Sequence, residues 1–366
     1  MKKILIGYIS NTKGSGLDNY IFQLVDVLKR EDVQIDLLSS AIDEDLKEKY
    51  KQDSNVRLLP IDRIPKPKKR YNQIQDYARE NKYDIAYFNI SEAFNCIGNL
   101  AVKKYVKTII THSHSSGNDN PNKIKREISK IVHQLTIPLL NKNTDVRYAC
   151  SDLAAAWLFG NHPFRLIRNT VDADRFYFDP KNRKMIREKY DVSDDCKIIG
   201  FVGNLTYQKN PNALLNLFKM TSKDDKNIEL WILGDGILRK ELEDRVKNEK
   251  IQNVRFLGKK KNIEAFYSAL DLFILPSNFE GYPLVGVEAQ VNGLPCLFSK
   301  KITKDIALSD RAQFFDPDNS IEGCKKVETL LQLGRMDPLC FNKNIVYDLK
   351  DQQKEFIDIF VNGSIV

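Results

Sequence analysis

Apolar runs of strand length alternate with helical patterns along the whole chain. That rhythm leaves few folds open, because strands joined by helices pair in parallel and are buried on both faces. In the first half the strand-like runs are 3–10, 34–39, 56–61, 84–90, 108–112, 146–151 and 166–169, with helical patterns such as 18–29 and 93–104 between them. The second half restarts the rhythm at 197–203, 229–234, 254–258, 270–276, 295–299 and 313–316. A chain of 366 residues is too long for one ordinary core. Two similar α/β domains result, 1–172 and 173–344, divided near the polar, proline-ended connection that runs from Asn169 to Pro180. The tail, 345–366, is helical by pattern, with Ile345, Leu349, Phe356, Ile359 and Phe360 as its apolar positions.

No apolar run approaches the roughly 20 residues that span a bilayer, and Met1-Lys-Lys leads straight into a strand rather than a signal peptide. The expected place is the cytoplasm. Six cysteines show no paired spacing and read as small buried hydrophobes of a reducing compartment. Residues 1–174 carry 27 Lys+Arg against 21 Asp+Glu, the remainder 30 against 28, so the excess basicity sits in the first half. Part of it lies in 123–140, where Lys123, Lys125, Arg126 and Lys130 stand beside apolar residues at 124, 128, 131, 132, 135, 139 and 140. Such a stretch suits either the surface of an anionic membrane, at its inner face, or a core-facing helix with a wet basic side. Lys66, Lys68, Lys69 and Arg70, in a Pro-interrupted loop, could add to the same face. No nucleic-acid partner is expected.

The chemistry concentrates in strand-to-helix turns. In 278–289, Asn-Phe-Glu-Gly-Tyr-Pro-Leu-Val-Gly-Val-Glu-Ala, two glutamates flank a turn into a helix. Pro283 suits the first helical position, and the helix N–H groups beside Leu284 point to where open α/β sheets hold ligands. Glu288 lies on an otherwise apolar helix and needs a partner, which ribose hydroxyls could supply. Asn292-Gly293 ends that helix. The loop from Lys13 to Asn19, with Gly14 and Gly16, either cradles phosphate or is a flexible turn. It is not a dinucleotide fingerprint, because Asn19 stands where the third glycine belongs. Lys209, after the strand that ends in Gly203, could neutralise a leaving diphosphate. Thr111-His112-Ser113-His114 lacks the further ligands that zinc would need. Asp172-Ala-Asp174 and Asp316-Pro-Asp318 read as structural turns.

The 276–289 stretch resembles the signature of retaining glycosyltransferases of the GT-B fold, group 1 or family 4 type. Pro276, Ser277, Glu280, Gly281, Pro283, Leu284, Glu288 and Ala289 match its pattern. The resemblance implies two doubly wound Rossmann-like domains with a central cleft, the acceptor mainly on the first, and a final helix that crosses back onto that domain. It implies that Glu280 faces the donor sugar and that Glu288 holds the nucleotide ribose. By the same resemblance, Gly14, Gly16, Gly203, Lys209, Gly234, Gly281, Pro283, Leu284 and Val285 lie along the donor. Leu257 meets the base through its backbone, and His112, favoured over His114 by register, sits by the sugar. Asn204 stands where the family has an arginine, and Lys259, Lys260 and Lys261 could partly replace that cation. Thr170 replaces the family's usual glycine between the domains. Stretches 108–117 and 150–160 look like bacterial exopolysaccharide or capsule transferases.

The activity so implied is transfer of a hexosyl unit from a nucleoside-diphosphate sugar, UDP before GDP, to a glycan or lipid-linked saccharide acceptor, with neither metal nor other cofactor. Two rivals share the fold: a nucleotide-sugar 2-epimerase, and a degenerate transferase serving as a partner subunit, which Asn204 suggests. An oxidoreductase is disfavoured, because neither half has the Gly-x-Gly-x-x-Gly fingerprint followed by a ribose-binding acid.

Overall fold

The computed structural model describes residues 1–10, 16–62, 66–223, 227–336 and 349–364. The chain forms two compact units: Met1–Asn118, Ile124–Asn169 and Leu349–Val366 make the first, Asp119–Lys123 and Thr170–Asp348 the second. The first holds a parallel sheet of β1 (Lys2–Ile9), β2 (Val33–Ser39), β3 (Val56–Pro60), β4 (Ile85–Ile90), β5 (Thr108–Ser113), β6 (Val146–Ala149) and β7 (Arg165–Leu166), in the order β3-β2-β1-β4-β5-β6-β7. The second holds β8 (Lys197–Val202), β9 (Ile228–Leu233), β10 (Val254–Gly258), β11 (Leu272–Leu275), β12 (Cys296–Ser299) and β13 (Ala312–Phe315), in the order β10-β9-β8-β11-β12-β13. Every strand-like run of the sequence overlaps a strand, although 166–169 shares only Leu166 with β7. Each sheet reverses its winding once, between β1 and β4 in the first and between β8 and β11 in the second. Crevices at such switch points, beyond the carboxyl ends of the strands, are where this architecture holds ligands.

The fold departs from the sequence reading at three places. The 93–104 pattern is a 3-10 turn, Ala93–Asn95, and then the helix Ile97–Val102. Gly98 lets that helix sit on the strands, since a Cβ there would lie 2.1 Å from the Tyr8 hydroxyl and 2.5 Å from the Phe88 ring. Lys68, Lys69 and Arg70 belong to the helix Pro67–Asn81 rather than a loop, and Arg70 is buried. The tail forms the helix Leu349–Ile357 and a π turn, Asp358–Asn362; the first part of the expected helix lies outside the described residues. Its Phe356, Ile359 and Phe360 are buried among β1 and the helix Gly16–Leu28, so they complete the first unit's core. Cys96, Cys150, Cys196, Cys296 and Cys324 are free thiols. No described helix is long and apolar enough to cross a membrane.

Candidate active site

The second unit's switch point is bounded by the loops that come after β8 and β11, and those loops are tied to each other. The Asn278 amide donates to the Gln208 carbonyl at 2.7 Å, and the Asn278 side chain donates to the Tyr207 carbonyl at 2.8 Å. Lys209 Nζ thereby comes within 2.7 Å of Glu280 Oε1. Both side chains are largely removed from solvent, with 14% and 6% of their surface exposed. Ser277 Oγ donates to the same carboxylate oxygen at 2.7 Å and Gln208 Nε2 to the other at 3.0 Å. A carboxylate with three donors in fixed places is oriented before any ligand arrives.

Glycines let these loops approach. A Cβ on Gly234 would lie 1.9 Å from the Gly203 carbonyl oxygen, and one on Gly236 2.4 Å from that of Leu205. The methylenes of Lys209 run past Gly203, 3.2–3.4 Å from where its Cβ would be. Gly203, Gly234 and Lys209, all expected near the donor, are therefore brought together. Leu257 is half-buried in β10, whose terminal Gly258 carbonyl accepts from the Gly234 amide at 3.0 Å. Asn204 is exposed in the same turn. Of the lysines that could make up for the missing arginine, Lys260 points to aromatic rings instead, 5.6 Å from the centre of Phe266.

After Glu280 the chain enters the helix Leu284–Val291, with Gly281, Tyr282 and Pro283 buried. Pro283 occupies the N-cap, one position earlier than expected. The Leu284 and Val285 amides precede the first helical hydrogen bond, so the helix presents N–H groups and its positive end there. The other end closes as a Schellman turn: Gly293 donates to the Gln290 carbonyl at 2.9 Å and Leu294 to that of Ala289 at 3.1 Å. Gly293 has φ +79°, and a Cβ there would also strike the Met336 carbonyl. On this helix Glu288 accepts the Tyr267 hydroxyl at 2.8 Å. Burial holds the Glu288 carboxyl above its usual range, while the Tyr267 hydrogen bond and the charges of Arg175 and Lys209 oppose that shift.

One expected residue is placed differently. His112 is fully buried inside the first unit, its Nδ1 2.5 Å from the Tyr87 hydroxyl and 3.2 Å from that of Tyr20. Burial drives it well below the ordinary imidazole pKa, so it stays neutral. It lies within the strand rather than just after it: β5 runs to Ser113, and the position after the strand falls to His114. His114 is the partly exposed member, and burial takes its pKa down to about 3. Gly16 opens the helix Gly16–Leu28 with open space where a Cβ would be. Gly14 lies outside the described residues.

Sequence reasoning gave no role to Gln208, Ser277, Tyr267 or Asp119. Asp119 Oδ1 accepts the Gln208 amide at 2.6 Å and so steadies the residue that holds Glu280. Ser277 carried a signal, its match to the glutamate pattern; a lone Tyr or Asp on another element carried none.

Residues 182–334 match the family described as glycosyl transferases group 1. A Bacillus subtilis protein named as a glycosyltransferase, EpsF, is 30% identical over 205 residues, which are 54% of this chain and 52% of that protein. An Escherichia coli UDP-Gal:alpha-D-GlcNAc-diphosphoundecaprenol alpha-1,3-galactosyltransferase is 25% identical over 307 residues, 78% of each chain. Among solved structures, Anabaena HepE in complex with UDP shares the fold across 100% of this chain and 97% of its own, with a TM-score of 0.71 and 17% identity. Residues 182–334, within the second unit, thus carry the match to the group 1 glycosyl transferases, and the chain has the two-domain α/β fold of the GT-B transferase structures.

Proposed function

We propose that the enzyme moves a hexosyl unit, with retention, from a UDP-sugar to a glycan or lipid-linked saccharide in surface-polysaccharide synthesis, without a metal ion. The observation that carries this reading is the Lys209–Glu280 pair at the second switch point, just ahead of the helix Leu284–Val291. Departure of a nucleoside diphosphate builds negative charge on phosphate and positive charge on the sugar ring. Lys209 and the helix start oppose the first, and Glu280 lies where a carboxylate can hold sugar hydroxyls. Glu288, a carboxylate one helical turn inside, suits ribose hydroxyls. The UDP-bound HepE structure and the lipid-linked acceptor in the name of the Escherichia coli relative support the donor and acceptor classes. Retention rests on the glutamate pattern alone.

UDP should bind in the presence of a chelator. Glu288→Ala should weaken it by about 1.5–3 kcal/mol, roughly 10- to 150-fold, the scale of a hydrogen bond to a charged group. Because the folded Glu288 carboxyl titrates above its unfolded value, it is protonated earlier on acidification than an ordinary glutamate. The difference between wild type and Glu288→Ala should therefore shrink as pH falls through that raised value. Protonation there also stabilises the fold, and this contribution is lost as pH rises from the usual glutamate range through the raised value. Calorimetry across pH tests both. Binding that needs added manganese or magnesium would remove the metal-free mechanism.

The enzyme also docks on an anionic membrane through the helix Lys123–Lys142, in this proposal. His133, Leu140 and Asn141 face the protein, whereas Ile124, Ile128, Ile131, Val132, Leu135 and Leu139 are exposed, Ile124 to 71% and Leu135 to 76%. On a helical wheel those six fall within one arc, opposite the buried face. Lys123, Lys125, Arg126, Lys130 and Lys142 against Glu127 make the helix strongly basic, which favours anionic lipid over a second copy of the same charge. Changing Lys123, Lys125 and Lys130 to glutamine should cost about 1 kcal/mol per residue in binding to phosphatidylglycerol vesicles and leave UDP affinity unchanged. Unchanged sedimentation with vesicles, together with a dimer that Leu135→Ser dissociates, would assign the face to a second copy.

A further inference from the structure

The first unit has its own crevice at its own switch point. A cavity of about 390 Å³ lies at the carboxyl ends of β1 and β4, lined in part by Tyr8, Arg70, Asn89, Ile90, Asn95 and Ile97. Arg70 is 6% exposed. Its guanidinium stacks on the Tyr8 ring at 4.0 Å from the centroid and donates to the Asp62 backbone carbonyl at 3.4 Å. Among the described residues no carboxylate pairs with it. The Asp62 side chain is engaged elsewhere, by Lys69 at 3.0 Å and Lys66 at 3.8 Å, and among the described residues no acidic side chain lines the cavity. The fully buried Arg187 shows the usual solution, with Asp271 at 3.2 Å.

A guanidinium carries five N–H donors and a charge that is costly to bury without a counter-charge; stacking on an aromatic face offsets only part of that cost. An oxyanion entering the cavity would complete the pairing. The remaining wall, apolar at Ile90 and Ile97 and polar at Asn95, suits the faces and hydroxyls of a sugar ring. We infer that this cavity binds a saccharide unit bearing an oxyanion, a carboxylate or a phosphate, with Arg70 as the residue that reads the charge. That this unit belongs to the acceptor rests on the proposed transferase activity; the charge preference does not.

Titrating the full chain with glucose, glucuronate, glucose 6-phosphate and inorganic phosphate, monitored by NMR without donor, tests the site directly. At low ionic strength glucuronate or glucose 6-phosphate should bind at least tenfold more tightly than glucose, and added salt should erode the advantage. The acid that binds tells carboxylate from phosphate. Equal binding of glucose and both acids overturns the inference, and inorganic phosphate binding as well as the sugar acids overturns its saccharide part. Arg70→Gln should lose the preference at least tenfold while Arg70→Lys keeps part of it, both with unchanged UDP affinity. An undiminished preference in Arg70→Gln also overturns the assignment. Should Arg70→Gln fail to fold, the wild-type comparison and Arg70→Lys still decide. Failure of the transferase reading would show separately, as loss of UDP binding in every protein.

Discussion

Lys209→Met is expected to lower turnover about 10²–10³-fold, the scale of removing one transition-state donor, and to weaken UDP binding. It should also destabilise the second unit by about 3–5 kcal/mol, because the nearly buried Glu280 is left without its cation. The double variant Lys209→Met/Glu280→Gln removes both charges and should recover most of that stability while staying inactive. Denaturant melts read beside kcat separate the two effects. A single variant as stable as wild type would mean that the ion pair is not closed in solution.

With Glu280→Gln, kcat should fall about 10²–10³-fold with UDP affinity retained or raised. The amide keeps the shape and can still meet Ser277 and Gln208, but it loses the charge that faces the sugar and holds Lys209. Steady-state kinetics with a UDP-sugar panel, paired with UDP calorimetry, checks this. Normal turnover, or lost UDP binding with folding intact, would reverse the roles given to the two glutamates.

The strands were legible because parallel strands buried on both faces read as continuous apolar runs, and helices between them read by period. Glu280, Glu288 and Lys209 were legible because each sits at a fixed offset in a strand-turn-helix phrase. What stayed hidden depends on the third dimension. His112 and His114 differ by two residues, so both point to the same side of the sheet, and only the observed end of β5 tells which is enclosed. Gln208, Tyr267 and Asp119 act through partners far along the chain. An amphipathic pattern over 123–140 specifies an apolar stripe but not whether protein covers it; in the fold it faces outward. Arg70 sits in a basic run that reads as a loop adding to a basic face, yet its helix turns that one side chain inward.

The burial of Phe356, Ile359 and Phe360 in the first unit's core imposes an order on biosynthesis. A ribosome releases residues 1–169 well before it makes those aromatics, and all of the second unit except Asp119–Lys123 is synthesised in between. The first unit must wait, its apolar surface beside Tyr20 and Tyr87 uncovered, until translation has passed residue 360. The second unit has no such dependence, since its strands and helices are contiguous once Asp119–Lys123 is present. The last-made half is thus free to fold first, and the first-made half is the one exposed to aggregation and in need of chaperone cover.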